Sequence, residues 1–339
     1  MVAAAILAAG RAIEVRPAVV VATEEGIDRA VEVLRAGGLV ALPTETVYGL
    51  AADAANPDAV RRVFAAKGRP PDHPLIVHLA SATDLHRWAA EVPPAAERLA
   101  VACWPGPLTL VLARGPDVLD VVTGGRPTVG LRVPDQPVAL AVLRRFGGGL
   151  AAPSANRFGR VSPTRAEHVV ADLGDRVDLV LDGGPCPVGV ESTIVEVVGE
   201  RVCVLRLGVL TADELSAIAG IPVAVDTSGP ARSPGMLASH YAPRARVVPT
   251  EPGGLPEALA ALPEGTRAVV LAEAAPPGLP AGIGLLEPVG DATGYARHLY
   301  ERLRAADDLG ADLVIAVLPA PEGPGLAVRD RLRRAAHPG

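Results

Sequence analysis

Leu39-Val-Ala-Leu-Pro-Thr-Glu-Thr-Val-Tyr-Gly-Leu50 opens on four apolar residues and breaks at Pro43 into a run of polar side chains. The apolar run, Leu39–Leu42, is short and continuous, the pattern of a strand buried on both faces. Thr44, Glu45 and Thr46 then follow directly behind that strand's end, which is where open α/β sheets place their ligands. Side-chain alternation directs Thr44 and Thr46 to one side. The same run also fits a self-satisfied turn.

Upstream, Ile27, Ala30, Val31 and Leu34 recur at helical spacing, with Glu24 and Glu25 in a first turn where the helix dipole favours them. Downstream, Asn56-Pro57 supplies an N-cap and a first-turn proline for a helix through Val60, Val63 and Phe64 that stops at Lys67-Gly68. Leu75–Leu79 and Leu108–Ala113 read as further buried strands. Gly149–Ala152 enters the loop Pro153-Ser-Ala-Asn156, and Ser162-Pro163 reads as the cap of a helix reaching about Leu173. Leu179–Asp182 is strand-like, and Ser192–Val198 is expected to form a hairpin with Val202–Leu205 across Gly199-Glu200. From Ile13 to about Leu210 the alternation of strands and helices defines an α/β domain. A short helix, Ala212–Ala219, then leads into a turn-rich stretch, Val225–Gly235. Beyond Tyr241 a smaller α/β pattern begins. Ala268–Leu271 and Leu313–Leu318 are strand-like, Tyr295, Leu299, Leu303 and Ala306 share one helix face, and Leu326–Ala336 reads as a terminal helix.

Bulk properties narrow the function. A chain of 339 residues favours two domains over one. The apolar opening, Met1–Ala9, is far shorter than the ~20 residues of a spanning helix and has no basic stretch before it, so neither a membrane span nor a signal peptide is expected. Cys103, Cys186 and Cys203 have no metal-ligand spacing, and an odd, scattered set fits a reduced, cytoplasmic compartment. The net charge of −6 provides no global field for nucleic acid. Of the 32 basic side chains all but Lys67 are arginine. Lysine is a compact point charge and arginine a planar fork, so a single retained lysine marks a place where the fork does not serve.

The familiar nucleotide and hydrolase signatures, GxxxxGK[ST], GxGxxG and GxSxG, are missing, so an anion site has to be assembled from separate loops. Lys67 and Arg69 can converge on one anion if Gly68 lets the backbone turn. A C-terminal lysine favoured by the helix dipole is the plainer account. In Pro153-Ser-Ala-Asn156 a hydroxyl and an amide two residues apart fit either a phosphate, ribose or base, or an Asx-turn. His78 ends an apolar strand as a rim histidine or a catalytic one. Arg132, in Val129-Gly-Leu-Arg-Val-Pro134, needs either a bound carboxylate or an internal ion pair. Glu191-Ser-Thr193 precedes a strand, where caps and edge hydroxyls are common, and an N-cap role accounts for Ser162.

Taken in order, PTETVYGL (Pro43–Leu50), KGRP (Lys67–Pro70) with PLIVH (Pro74–His78), WPGPLT (Trp104–Thr109), PSAN, SPT (Ser162–Thr164), GVEST (Gly189–Thr193) and SPGM…HYAP (Ser233–Met236, His240–Pro243) resemble the Sua5/YrdC/TsaC family. The last motif resembles its long, two-domain Sua5 form, the L-threonylcarbamoyladenylate synthases. The resemblance spans about Val19 to Ala336. It implies a twisted, open α/β domain with a mixed central sheet and a smaller, Rossmann-like α/β domain joined by a linker. The implied partition is an N-terminal extension over 1–14, a catalytic domain over 15–212, a linker over 213–243 and a C-terminal domain over 244–339.

The family reaction joins L-threonine, bicarbonate and ATP into threonylcarbamoyl-AMP and pyrophosphate, with Mg²⁺ accompanying ATP. Its product goes to a downstream transferase complex for the t6A modification at position 37 of tRNAs reading ANN codons. By similarity, Thr46, His78, Arg132, Ser192 and the backbone at Ala152 hold threonine, Arg132 clamping its carboxylate. Lys67, Arg69, His73, Thr128, Ser154, Asn156, Ser162 and Arg206 match ATP positions, with Lys67 and Arg69 on the phosphates as the catalytic pair. Two positions depart from the family pattern. His73 stands where other members carry Asn, and Leu237-Ala238-Ser239 replaces a Lys- or Tyr-bearing run in the linker. Three other readings compete: a HypF-type carbamoyltransferase, which would carry an acylphosphatase-like domain and Cys-rich zinc motifs; an RNA-binding module with at most a weak, local RNA contact; and a paralogue acting on another small molecule.

Overall fold

The computed structural model describes residues 17–227 and 241–337. The predicted extension over 1–14 and the linker motifs from Ser233 to His240 lie outside the described residues. Leu39–Leu42 yields the strand Val40–Leu42, buried along its length, and the chain turns through Thr44–Thr46 to return antiparallel as Gly49–Asp53. Around this pair an eleven-stranded sheet assembles. In spatial order its strands are Ala18–Val21, Leu179–Asp182, Val40–Leu42, Gly49–Asp53, Leu150–Ala151, Ile76–His78, Thr128–Arg132, Leu108–Ala113, Thr193–Val198, Arg201–Arg206 and Val223–Val225. Pairing is mixed. Ile76–His78 runs parallel to Thr128–Arg132, while Thr193–Val198 and Arg201–Arg206 form the antiparallel hairpin expected across Gly199-Glu200.

The predicted amphipathic helix forms over Glu24–Arg35, burying Ile27, Ala30, Val31 and Leu34 and capped by Thr23. Asn56 caps Pro57–Lys67 by accepting from the amides of Asp58 and Ala59, and Gly68 ends that helix in the left-handed region at φ 63°. The expected Ser162 cap does not form. The helix starts at Ala166 with no side-chain cap, and the Ser162 hydroxyl instead donates to the buried Glu191 carboxylate at 2.6 Å. An ionised acceptor makes the stronger hydrogen bond. A second difference lies after residue 212. The helix Ala212–Ala219, closed by a Thr211–Glu214 capping box, leads to Val223–Val225, which pairs parallel with Arg201–Arg206. This stretch therefore belongs to the first sheet rather than to the linker. A three-residue strand carries too little periodicity to be read beforehand.

The C-terminal domain has a four-stranded, all-parallel sheet in the order Arg246–Thr250, Leu313–Val317, Ala268–Leu271, Gly284–Leu285. The helix Ala292–Asp308 buries Tyr295, Leu299, Leu303 and Ala306 as expected, and Pro324–Ala336 packs beside it. Its apolar core is continuous with Val47, Val161 and Val190 of the first domain. Val47 belongs to the polar-run loop, so the two domains join at the mouth of the expected site. No helix among the described residues is long and apolar enough to cross a membrane.

Gly68 carries the turn between Lys67 and Arg69, and a Cβ there would meet nothing closer than 3.6 Å. Only the backbone conformation opposes a side chain. Gly68→Ala is expected to cost about 1–2 kcal/mol and to lower the melting temperature by a few degrees, with Gly68→Asn costing less. Calorimetry of the three proteins checks this, and equal melting temperatures would remove the turn requirement.

Candidate active site

A cleft opens at the ends of the central strands, where open α/β sheets place their ligands. Thr44 and Thr46 line it on one side, their hydroxyls 2.9 Å apart, but through the self-satisfied turn rather than strand alternation, the Thr44 hydroxyl accepting from the Thr46 and Val47 amides. In the parallel register His78 sits opposite Arg132, which sets both side chains at adjacent strand ends. Arg132 is bridged to Glu45 at 2.7 Å, with both side chains 5 % exposed, and its Nε donates to the Gly106 carbonyl. The Glu45 contact is close but poorly aligned. Both Glu45 oxygens and the Arg132 Nη2 lack a hydrogen-bond partner, as does His78 Nδ1. Buried polar groups are normally satisfied, so this end of the cleft holds unused donors and acceptors.

The other end is cationic. Lys67 is almost wholly buried, and its Nζ donates to the carbonyls of Ser154 (2.5 Å) and Asn156 (2.6 Å). Burial, reinforced by Arg69, holds the ammonium well below its usual range. Arg69 donates to the Pro74 carbonyl, lies 5.7 Å from the Phe158 ring centroid and leaves its buried Nε without a partner. Asn156 donates to the carbonyls of Arg157 and Arg160 while its buried Oδ1 has none. Arg206 grips Ser192 through the main-chain oxygen and the hydroxyl, each at 3.1 Å, and Thr109 adds a 2.8 Å contact to the same hydroxyl. Preorganised, water-poor cations of this kind stabilise charge developing on an anion.

The structure thus gathers Thr46, Lys67, Arg69, His78, Arg132, Ala152, Ser154, Asn156, Ser192 and Arg206 on one wall system. His73, Thr128 and Ser162 are not part of it. His73 packs its ring 5.4 Å from that of Phe158, which does line the cleft, and burial followed by Arg69 lowers its pKa. Thr128 starts the strand that ends in Arg132 and pairs with Ala113. Ser162 is fully buried on Glu191. The site also includes Tyr241, of the HYAP motif, and Glu191, which was assigned no role from the sequence. Glu191 stood in the GVEST motif, but its partners come from the far end of the chain. Among the described residues no group of three or more His, Cys, Asp or Glu could hold a metal ion.

Comparison with known proteins defines the class. The family model described as telomere recombination matches residues 32–208, and that of the threonylcarbamoyl-AMP synthase C-terminal domain matches residues 209–337. The chain belongs to the Sua5/YrdC family in its long, two-domain Sua5 form. Among its relatives, the threonylcarbamoyl-AMP synthase of Bacillus subtilis (strain 168) is 41 % identical over 329 residues, covering 91 % of this chain and 92 % of that protein. The synthase of Pyrococcus abyssi (strain GE5 / Orsay) is 40 % identical over 316 residues, covering 89 % and 91 %. The crystal structure of P. abyssi Sua5 complexed with L-threonine superposes with a TM-score of 0.87 at 38 % identity, covering 94 % of this chain and 97 % of that one.

Burial, and secondarily Arg132, holds His78 down at about 3, so it is neutral at working pH. The unfolded chain takes up a proton near pH 6.5 that the native chain refuses, so stability falls as pH drops below that value. For this shift the loss between pH 8 and pH 5 is about 2 kcal/mol. His78→Gln is expected to remove that component, and urea midpoints at the two pH values measure it. An undiminished pH dependence in the variant would show that His78 is not held neutral.

Proposed function

We propose that this chain is a threonylcarbamoyl-AMP synthase, forming threonylcarbamoyl-AMP and pyrophosphate from L-threonine, bicarbonate and ATP, and thus an enzyme of the nucleotidyltransferase type. The observation that carries this is the division of one cleft into a carboxylate-seeking end at Arg132 and His78 and a cationic end at Lys67, Arg69 and Arg206. Threonine's carboxylate takes the Nη2 of Arg132 in place of the misaligned Glu45, and neutral His78 and Thr46 receive its polar groups. Ser192 and the Ala152 backbone complete that end.

ATP occupies the other end. An ammonium has three hydrogens, and with two committed to the Ser154 and Asn156 carbonyls the third serves a phosphate oxygen. The amine of threonine and bicarbonate condense to a carbamate with loss of water. A carbamate oxygen then attacks the α-phosphorus, and the α–β bridging bond breaks as pyrophosphate leaves. Positioning and charge stabilisation suffice for such a transfer, with no protein nucleophile. Mg²⁺ enters as part of the MgATP substrate, neutralising phosphate charge. His73 and Thr128, outside the cleft lining, are assigned to the nucleotide by similarity alone, as is Ser162, whose hydroxyl anchors Glu191. The adenylate passes in the cytoplasm to a transferase complex for t6A formation at position 37 of tRNAs reading ANN codons, any RNA contact by this chain being weak.

The test is incubation with MgATP, bicarbonate and a panel of amino acids, following pyrophosphate and the adenylate by mass spectrometry. Threonine-dependent adenylate is expected, and turnover without an amino acid would overturn the reading. In the same assay Lys67→Ala is expected to lose about 10²-fold or more in pyrophosphate release. Lys67→Arg also loses activity, because a planar fork cannot occupy the point-charge position between two carbonyls. Full turnover by Lys67→Arg would refute that requirement.

A further inference from the structure

The Glu191 carboxylate faces the cleft from the first domain, yet most of its hydrogen bonds come from the second. Its Oε2 accepts from Arg331 Nε at 2.8 Å, and the Tyr300 hydroxyl is within 2.8 Å of Oε2 and 3.0 Å of Oε1. Ser162 supplies the remaining donor. The Arg331 side chain is 0 % exposed and that of Glu191 7 %. Arg331 does more than pair with this carboxylate. Its Nη2 donates to the Leu207 carbonyl at 2.9 Å, its Nη1 reaches Asp330 at 2.5 Å, and its guanidinium lies 4.9 Å from the centroid of the Tyr241 ring, which lines the cleft.

The residues that Arg331 holds are the chain neighbours of two wall residues. Glu191 precedes Ser192 and Leu207 follows Arg206. Ser192 and Arg206 are themselves tied together at 3.1 Å. One guanidinium from the helix Pro324–Ala336 therefore staples the start of the strand Thr193–Val198 to the end of Arg201–Arg206, and packs against the Tyr241 ring, which also stacks on Tyr300. We propose that Arg331, assisted by Tyr300, is a positioning residue of the second domain that fixes Arg206 for the nucleotide, with Ser192 tied beside it, acting through Glu191 and Leu207. Burial raises the Glu191 carboxyl, but Arg331, Arg206 and Ser162 outweigh it and hold it at about 2, so the staple stays ionised at working pH. The planar guanidinium spreads its donors across Glu191, Leu207 and Asp330, a reach that the compact ammonium of a lysine does not reproduce. The second domain is on this account a fixed part of the site wall.

The inference rests on the proposed ATP-dependent reaction, so its test reads nucleotide affinity directly as well as turnover. The non-hydrolysable analogue AMP-PNP with Mg²⁺ is titrated by calorimetry into the full-length wild type and into Arg331→Met, Arg331→Lys and Glu191→Gln/Arg331→Met. A role in folding alone reduces the binding stoichiometry and the melting temperature but leaves the dissociation constant of the folded fraction unchanged. Positioning predicts a dissociation constant and a KM for ATP raised roughly tenfold or more in Arg331→Met. In the double variant the uncompensated buried charge is gone, so the melting temperature recovers. Its weakened nucleotide affinity persists because the Leu207 carbonyl has lost its guanidinium donor and the Tyr241 ring the cation beside it. Arg331→Lys keeps the charge and decides the matter if the methionine variant does not fold, with a dissociation constant several-fold above wild type expected. Wild-type affinity in Arg331→Lys or Arg331→Met, or affinity recovering together with stability in the double variant, would overturn the staple. A wild type that binds AMP-PNP but makes no adenylate would instead refute the proposed reaction and leave the staple standing.

Discussion

The tie between the Lys67 ammonium and the carbonyls of Ser154 and Asn156 is the contact on which the rest of the site depends. It joins the end of one helix to a loop 87 and 89 residues away in sequence. That single pair of hydrogen bonds fixes where Ser154 and Asn156 face. It also fixes where the chain leaves the helix and carries Arg69 into the cleft. Burying a cation is expensive unless it is hydrogen-bonded, and main-chain carbonyls offer that compensation without cancelling the charge. A carboxylate partner would have compensated the ammonium more strongly and left nothing for an anionic ligand. The depressed pKa of Lys67 comes from the burial itself, reinforced by Arg69.

Much of this was legible in the sequence because it is local. Leu39–Leu42, the Asn56-Pro57 cap, the Gly68 stop and the 199–200 hairpin each announce themselves within a few residues, and all take the expected form. The facing of Thr44 and Thr46 comes from the turn that the Thr44 hydroxyl closes, also a local feature. Family motifs brought in the residues whose meeting depends on tertiary structure, such as Arg132 with His78 and Lys67 with Asn156. The misreadings share one cause. Ser162 was a plausible cap by local rules, but a buried carboxylate 29 residues on competes for its hydroxyl and wins. Val223–Val225 was too short to carry a period, and only pairing with Arg201–Arg206 makes it a strand. Glu191 and Arg331 are 140 residues apart, and no spacing rule links them.

The two domains are joined by the same physics that builds their interiors. Val47, Val161 and Val190 contribute to the core of the C-terminal domain, so the boundary between domains is apolar where it supports the cleft. Among the polar groups at this boundary, which include Arg304 on Asp172 and Arg165 on Glu301, the buried Glu191 is kept ionised by the donors that surround it. The apolar contact and the buried Glu191–Arg331 pair together tie the two domains at the cleft.

The separation between Glu191 and Arg331 also sets a schedule for biosynthesis. Translation at ~5–20 residues per second delivers Arg331 roughly 7–28 s after Glu191. During that interval the first sheet can form while one of its carboxylates waits without its arginine and Val47, Val161 and Val190 lack their cover. The nascent first domain is then a sticky, half-charged surface, exposed to chaperones and neighbouring chains, until the helix Pro324–Ala336 arrives to close it. Placing the matching cation so late in the chain ties maturation of the catalytic wall to synthesis of the second domain.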